Sequence, residues 1–312
     1  MINNTQTTKE WLSSIQALKI IEPYKATGMN GKKILQGIFQ KDRNVVVKIA
    51  TTTEDIEIEW TTYAKLKESG VSLVNFVEYL CFFRCSDSIT RVVQEIAKQK
   101  QPIEEICGPD DGKPKMQVLV MEYVDGRSMK NYLWNDISIE ALRSCMLQVV
   151  FAITDANVKC GFVHGDLHMD NVIVDSLDVS KGSHVVLEYI NLPEQFRNIV
   201  AHDGRVAKIM DFEFSKIIPG DSRVGLYKDM REFFNKSMTC LVDYLVTTAP
   251  LHQCFELAAQ YAADPPDDHR FLEFVVNKIQ LLKFKGTRGG GQKGPRPVRH
   301  KGPYLSKRNG VW

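Results

Sequence analysis

Residues 162 to 174, FVHGDLHMDNVIV, set two histidines, two aspartates and an asparagine within the eight positions from His164 to Asn171, between two apolar runs that read as short strands. Just upstream, SIEALRSCMLQVVFAITDANVKCG places Ile139, Leu142, Met146, Val149, Val150 and Ile153 on one stripe, the spacing of a long buried helix that stops near Gly161. The polar cluster therefore sits on a loop that leaves a helix and enters buried strand. Downstream, VIV, HVVLEYI and RVAKIM read as strands, followed by DFEFSK and a helix through MREFFNKSMTCLVDYLV. This second part of the chain is predicted to be mainly helical.

The 312 residues are 44% apolar and 25% charged, which suits a globular chain with a real core and excludes a fibre. No apolar run approaches the roughly 18 residues that span a bilayer, and MINNTQTTKEW lacks a secretory pattern, so an intracellular location is expected. The seven cysteines are scattered without a CxxC pair and read as reduced thiols. Charge is unevenly distributed. From Lys278 onward there are ten Lys or Arg and no acid, whereas residues 1 to 277 hold 30 basic against 38 acidic groups, about 8 negative. The stretch after Lys285 is rich in Gly and Pro and reads as a flexible basic tail, residues 286 to 312.

The first third is strand-rich. IIEPYKATG, KKILQGIF and NVVVKIA predict a three-strand meander, with Gly28, Asn30 and Gly31 in its first connection. Acidic first-turn residues and the recurrence of Ile56, Trp60, Tyr63 and Leu66 predict a helix over 54 to 69. VNFVEYLCFF and MQVLVMEYV add two strands, separated by an insertion at 88 to 115. The expected fold is α+β and bilobal, a small antiparallel sheet with one helix (residues 14 to 124) followed by a mainly helical lobe (125 to 285). The forty positions between Asn171 and Asp211 leave room for an extra hairpin within 176 to 205.

Asp166 and Asn171 on the loop, Asp211 after a further apolar strand and Lys48 on a buried strand form a set suited to a metal-bound triphosphate. Phosphoryl transfer asks a protein for charge neutralisation, in-line positioning and a carboxylate beside the attacking hydroxyl, and magnesium prefers oxygen ligands. With these residues in place the chain resembles the eukaryotic protein kinase superfamily. VVVKIA resembles the strand of the nucleotide lysine, LVMEYVDG the hinge, HGDLHMDN the catalytic loop and MDFE the metal-binding segment, in the family's order. The resemblance implies ATP and magnesium as cofactors and a protein substrate phosphorylated on serine or threonine. It implies that Lys48 holds the α and β phosphates, that Asp166 orients the acceptor hydroxyl, and that Asn171 and Asp211 bind the metal. Glu59, with Glu57 as the alternative, partners Lys48; Met121 lies beside the adenine, Glu122 and Val124 offer hinge backbone, and Gly28 and Gly31 close over the phosphates. His168 joins this catalytic set where such kinases often have lysine, and Asp229 resembles the buried aspartate that holds the catalytic loop.

The chain also departs from the pattern. Gly165 replaces the usual arginine, Glu213 replaces the glycine of the metal segment and so removes a residue able to take positive φ, and no APE motif follows. These traits are most similar to haspin-type and large-DNA-virus kinases. They leave two alternatives, a small-molecule phosphotransferase with an HGD loop and a nucleotide-binding pseudokinase. His164 and His168 at i and i+4 have zinc-ligand spacing only on a helix, and a loop is expected there. The basic tail is suited to an anionic partner, either nucleic acid or an acidic protein.

Overall fold

A computed structural model describes residues 19–22, 33–39, 43–51, 56–85, 116–132, 138–176, 185–266 and 270–285. The chain divides into two compact units, one of Met1–Thr61 with Glu78–Tyr123 and one of Thr62–Val77 with Val124–Trp312. This α+β, two-unit arrangement is kinase-like, with a small antiparallel sheet in the first unit and mostly helices in the second. The division falls inside one helix, α1 (Glu57–Glu68), between Val77 and Glu78, and between Tyr123 and Val124. The insertion at 88 to 115, the glycines at 28 and 31 and the basic tail lie outside the described residues.

The first unit is a five-stranded antiparallel sheet in the order β1-β2-β3-β5-β4, from β1 (Lys19–Glu22), β2 (Lys33–Phe39), β3 (Arg43–Thr51), β4 (Tyr79–Cys85) and β5 (Met116–Glu122). Strand β3 is central, and Val45, Val47 and Ile49 are wholly buried, as their β-branched run requires. The VNFVEYLCFF run is not one strand. Phe76 forms an isolated parallel bridge with Ile209 in the second unit's own fabric, and β4 begins only at Tyr79. Helix α1 is slightly shorter than its periodicity implies, and the Ile56 amide just before it donates to Gln117 Oε1 at 2.9 Å.

The second unit is organised on helix α3 (Ile139–Cys160), reached through β6 (Gly126–Ser128) and the short α2 (Met129–Tyr132). Ser138 caps α3 by accepting from the Ala141 amide, and Gly161 ends it in the left-handed conformation (φ 73°). There follow β7 (Phe162–Val163), β8 (Val172–Ser176), β9 (Val185–Glu188), β10 (Asn198–Ala201), β11 (Arg205–Ile209) and β12 (Lys216–Ile217). Strands β11, β8 and β6 form one sheet and β12 pairs with β7. The room between Asn171 and Asp211 is indeed used by a hairpin, β9 with β10. It is pinned to α3 by buried polar groups: Asp155 accepts from the amide and side chain of Asn191, and Tyr189 Oη donates to Asn75 Oδ1 at 2.8 Å. Asn75 Nδ2 in turn donates to Ala207 O and Gln148 Oε1.

Helices α4 (Arg223–Leu241), α5 (Ala249–Ala263) and α6 (Arg270–Ile279) complete this unit. Helix α4 starts seven residues before the apolar pattern at Met230 suggests. Its first turn holds Gly225, where an added Cβ would stand 2.5 Å from Val163 Cγ2, so this helical glycine marks close packing on β7. The helix also ends before Val242–Val246, where Leu245 instead bridges Phe284. Cys81, Cys145 and Cys254 are buried free thiols that burial pushes up to about 12, which keeps them protonated and inert.

Candidate active site

In the first unit, Lys48 lies on β3 between Val47 and Ile49, and its residue is only 7% exposed. A lysine there needs a counter-charge, and its Nζ pairs with Glu59 Oε1. Glu59 is wholly buried, and its other oxygen accepts from Tyr79 Oη at 3.1 Å. Glu57, the alternative partner, is engaged with Arg84 instead. Tyr79 was not singled out from sequence, where it reads only as an apolar strand position. Met121 is buried near the end of β5, in register with Val46 and Tyr79. Glu122 locks that strand end in two ways: its amide donates to Glu78 O, and its Oε1 accepts from the Glu78 amide, both at 2.8 Å.

In the second unit, the loop after β7 is held by hydrogen bonds to its backbone. The buried carboxylate of Asp229 on α4 accepts from the His164 amide at 2.6 Å and from the Gly165 amide at 2.8 Å. Burial outweighs these bonds and pushes Asp229 up to about 6. Gly165 has φ 84°, and an added Cβ would stand 2.4 Å from Phe214 O, so neither the backbone nor the space admits a side chain there. That accounts for glycine where arginine is usual.

His164 is fully buried, and burial pushes its imidazole down to about 4, so it is neutral at physiological pH. Its Nε2–H donates to Met210 O at 3.0 Å, leaving Nδ1 to accept from the Asp166 amide at 3.3 Å. Both ring nitrogens are occupied within the fold. This histidine is an organiser of the loop, a role that leaves no sequence signal because its partners are backbone atoms. His168 instead accepts at Nδ1 from the Asp170 amide and sets Nε2 3.4 Å from Asp166 Oδ2.

Asp166 is half-buried. Asn171 Nδ2 donates to its backbone oxygen at 3.0 Å and to Oδ2 at 3.3 Å. The amide nitrogen of Asn171 is thus committed to the loop, which leaves Oδ1 as its ligand atom for a cation. Asp170 pairs with Lys130 at the surface. Asn171 O accepts from the Met210 amide, so the loop and the residue before Asp211 are joined at both Asn171 and His164.

Asp211 has φ 66° and ψ 70°, a left-handed conformation that costs a non-glycine residue about 1 kcal/mol or more. The next residue holds it there. Phe212 is wholly buried among the rings of Tyr63 (6.4 Å), Phe76 (6.1 Å), Phe162 (5.7 Å) and His164 (5.7 Å). Ser215 ties off the turn by donating its hydroxyl to His164 O at 2.8 Å and accepting at its carbonyl from Thr62 Oγ1. Glu213 lies in the 3-10 turn Phe212–Phe214 and has no positive φ. The conformational freedom of glycine is therefore not required at that position.

Comparison with known proteins agrees with this geometry. Residues 97–180 match the RIO domain, an atypical protein kinase family, a window that contains β5, α3 and the Asp166 loop and ends before Asp211. Over 110 residues the chain is 30% identical to a probable serine/threonine-protein kinase of Dictyostelium discoideum, spanning 34% of this chain and 9% of that protein. Sequence and fold together are protein-kinase-like. Both matches are to kinase-type proteins, and the chain spans less than a tenth of the length of the curated relative it matches. Among the described residues no helix is long and apolar enough to cross a membrane.

Proposed function

We propose that the chain is an ATP- and magnesium-dependent protein kinase that transfers the γ-phosphoryl group to serine or threonine hydroxyls. The observation that carries this reading is the loop from His164 to Asn171. There a half-buried carboxylate is fixed by Asn171 at its side chain and by His164 and Asp229 through the backbone. A base used for transfer must be pre-positioned in this way, because its advantage comes from geometry. Asp166 takes the proton of the acceptor hydroxyl, and His168 steadies the same oxygen that Asn171 holds. The donors Asn171 Oδ1 and the Asp211 carboxylate are hard oxygens and fit magnesium, which when bound neutralises phosphate charge. Lys48, held upright by Glu59, contacts the α and β phosphates. Met121 would flank the adenine and the backbones of Glu122 and Val124 would read its edge; Gly28 and Gly31, assigned to the phosphates from sequence, lie outside the described residues. The HGDLHMDN loop supports, within this reading, a likeness to the haspin-type and large-DNA-virus kinases.

A second reading, transfer to a small hydroxylated molecule, is favoured by the five residues Ile218–Ser222 that alone separate β12 from α4 and leave little chain for a peptide platform. The pseudokinase reading keeps only the charge that Glu213 adds near the metal, since Glu213 occupies an ordinary turn and no positive φ is needed there. Incubation with labelled ATP, magnesium and mixed basic and acidic proteins, followed by phosphoamino-acid analysis, separates these readings. Labelled phosphoserine or phosphothreonine is expected, and Asp166→Asn should lower transfer by about 10² or more with nucleotide binding nearly unchanged. Label that appears only on small hydroxylated acceptors would favour the second reading, and activity equal in mutant and parent would remove Asp166 from its role.

A further inference from the structure

We infer that the groove between the β9–β10 hairpin and α3 is a docking site for an extended segment of a partner protein, one that carries an apolar residue close to an Asp or Glu. The proposed transfer chemistry makes no use of this hairpin, which fills the insertion between Asn171 and Asp211. Its two faces differ. Leu187 and Ala201 are buried, whereas Val186 and Val200, paired directly opposite one another, are 56% and 54% exposed. Ile190, just past β9, is also half exposed. Single exposed valines are ordinary, but a cross-strand pair brings the side chains to about 5 Å and makes one apolar patch.

Val200 also belongs to a cavity of ≈ 290 Å³, walled by Arg143, Ser144 and Leu147 of α3, by Asn198 and Val200 of β10 and by His202. The walls are fixed to each other. Ser144 Oγ donates to Val200 O at 3.1 Å and accepts from the His202 amide at 3.3 Å. Arg143 supplies the chemistry. One end of its guanidinium is pinned by donating Nη2 to Leu282 O, while its buried Nε finds no partner and no carboxylate pairs with it among the described residues. A pinned guanidinium without a counter-charge is a preformed receptor for a carboxylate.

Size and charge narrow the occupant. The volume lies below that of most cofactor pockets and suits one or two side chains. Glu140 lines the same cavity and repels a doubly charged phosphate more strongly than a single carboxylate. Because Val200 is shared by the patch and the cavity, the apolar residue and the acid are close neighbours on one chain. That describes a polypeptide and not a free anion.

The test is selection of a phage-displayed random library of peptides about twelve residues long on the full chain, followed by anisotropy titration of the recovered peptides. These should carry Val, Ile or Leu within about three positions of an Asp or Glu, since side chains two apart in an extended segment face the same way. Arg143→Gln should weaken their binding about ten-fold or more, the scale of a lost charge-assisted pair. Val186→Ser with Val200→Ser should weaken it about three-fold or more. The serine pair changes only exposed positions, so it decides the question even where Arg143→Gln lowers the melting temperature by losing the Leu282 bond. ATP with magnesium should leave peptide affinity unchanged, and no readout uses catalysis, so the result is independent of the kinase reading. Recovery of no peptide above background, of peptides rich in Lys and Arg, of peptides bound equally by the parent and both variants, or of peptides that ATP displaces would overturn the proposal.

Discussion

Replacing Asp229 by alanine tests the way the loop is held. The residue is 3% exposed, and its carboxylate accepts two backbone N–H groups, at 2.6 and 2.8 Å. Alanine leaves both donors buried and unpaired, at about 1–3 kcal/mol each, or about 2–6 kcal/mol together. The loss should depend on pH. The folded-state value is raised from 3.8 to about 6, so this group's contribution to stability is fully present below about 3.8 and is lost as pH rises through about 6. From pH 4.5 to pH 8 the parent should lose about 2 kcal/mol through Asp229 alone. Asp229→Ala should therefore be more destabilising at pH 4.5 than at pH 8 by about that amount. His164 acts in the opposite sense: its depressed value makes a contribution present above 6.5 and lost as pH falls towards about 4. It is common to parent and variant and cancels in their difference. Urea unfolding of both proteins across this range is the assay. A difference under about 1 kcal/mol at every pH, or one that does not vary with pH, would refute the reasoning.

Glu59→Gln should remove the buried charge paired with Lys48 and cost more than Tyr79→Phe, which removes one hydrogen bond to the same carboxylate and should cost about 1–2 kcal/mol; equal melting temperatures for the two variants would contradict the ordering. Gly165→Ala should destabilise the fold by about 2 kcal/mol or more through positive φ and the Phe214 carbonyl, measured by the same denaturation, and a neutral result would mean that the loop relaxes. If Asn171 and Asp211 hold the metal, ATP should raise the melting temperature only with a divalent ion, by the equivalent of about 2.7 kcal/mol at a hundredfold excess over Kd, and Asp211→Ala should abolish the ion-dependent part. A shift that persists in chelator would count against that site.

The parts legible in the sequence were those written in a single residue type at a fixed place. Lys48 between two valine-class neighbours, the stripe of α3, its stop at Gly161 and the extra hairpin before Asp211 all carry strong local signals. Glu59 could be chosen over Glu57 because Tyr63 and Leu66 share its phase on the helix, and all three are buried. The supporting groups were harder to see. Tyr79, Ser215, Asn75 and Gln148 act on partners 20 to 153 positions away or on backbone atoms, which leaves no pattern in composition or periodicity. The start of α4 was obscured by Gly225, whose presence in a helix is a packing requirement of β7 and runs against its own propensity.

Two departures from the kinase pattern, the missing arginine at 165 and the missing glycine at 213, prove to be one local arrangement. The chain reverses at Asp211, which itself takes the left-handed conformation under the anchoring of Phe212, so Glu213 can continue in an ordinary 3-10 turn. That turn carries the Phe214 carbonyl to where a Cβ on residue 165 would be, and β12 then pairs with β7 directly beside the loop. A side chain at 165 and the observed course of 212–214 exclude one another sterically. Glutamate at 213 and glycine at 165 are thus compatible as a pair, and restoring the arginine alone would displace the turn that fixes Asp211. The unusual residues are accordingly a reason to expect a formed site, because the close approach that forbids one side chain is what brings the segment of Asp211 against the loop bearing Asp166.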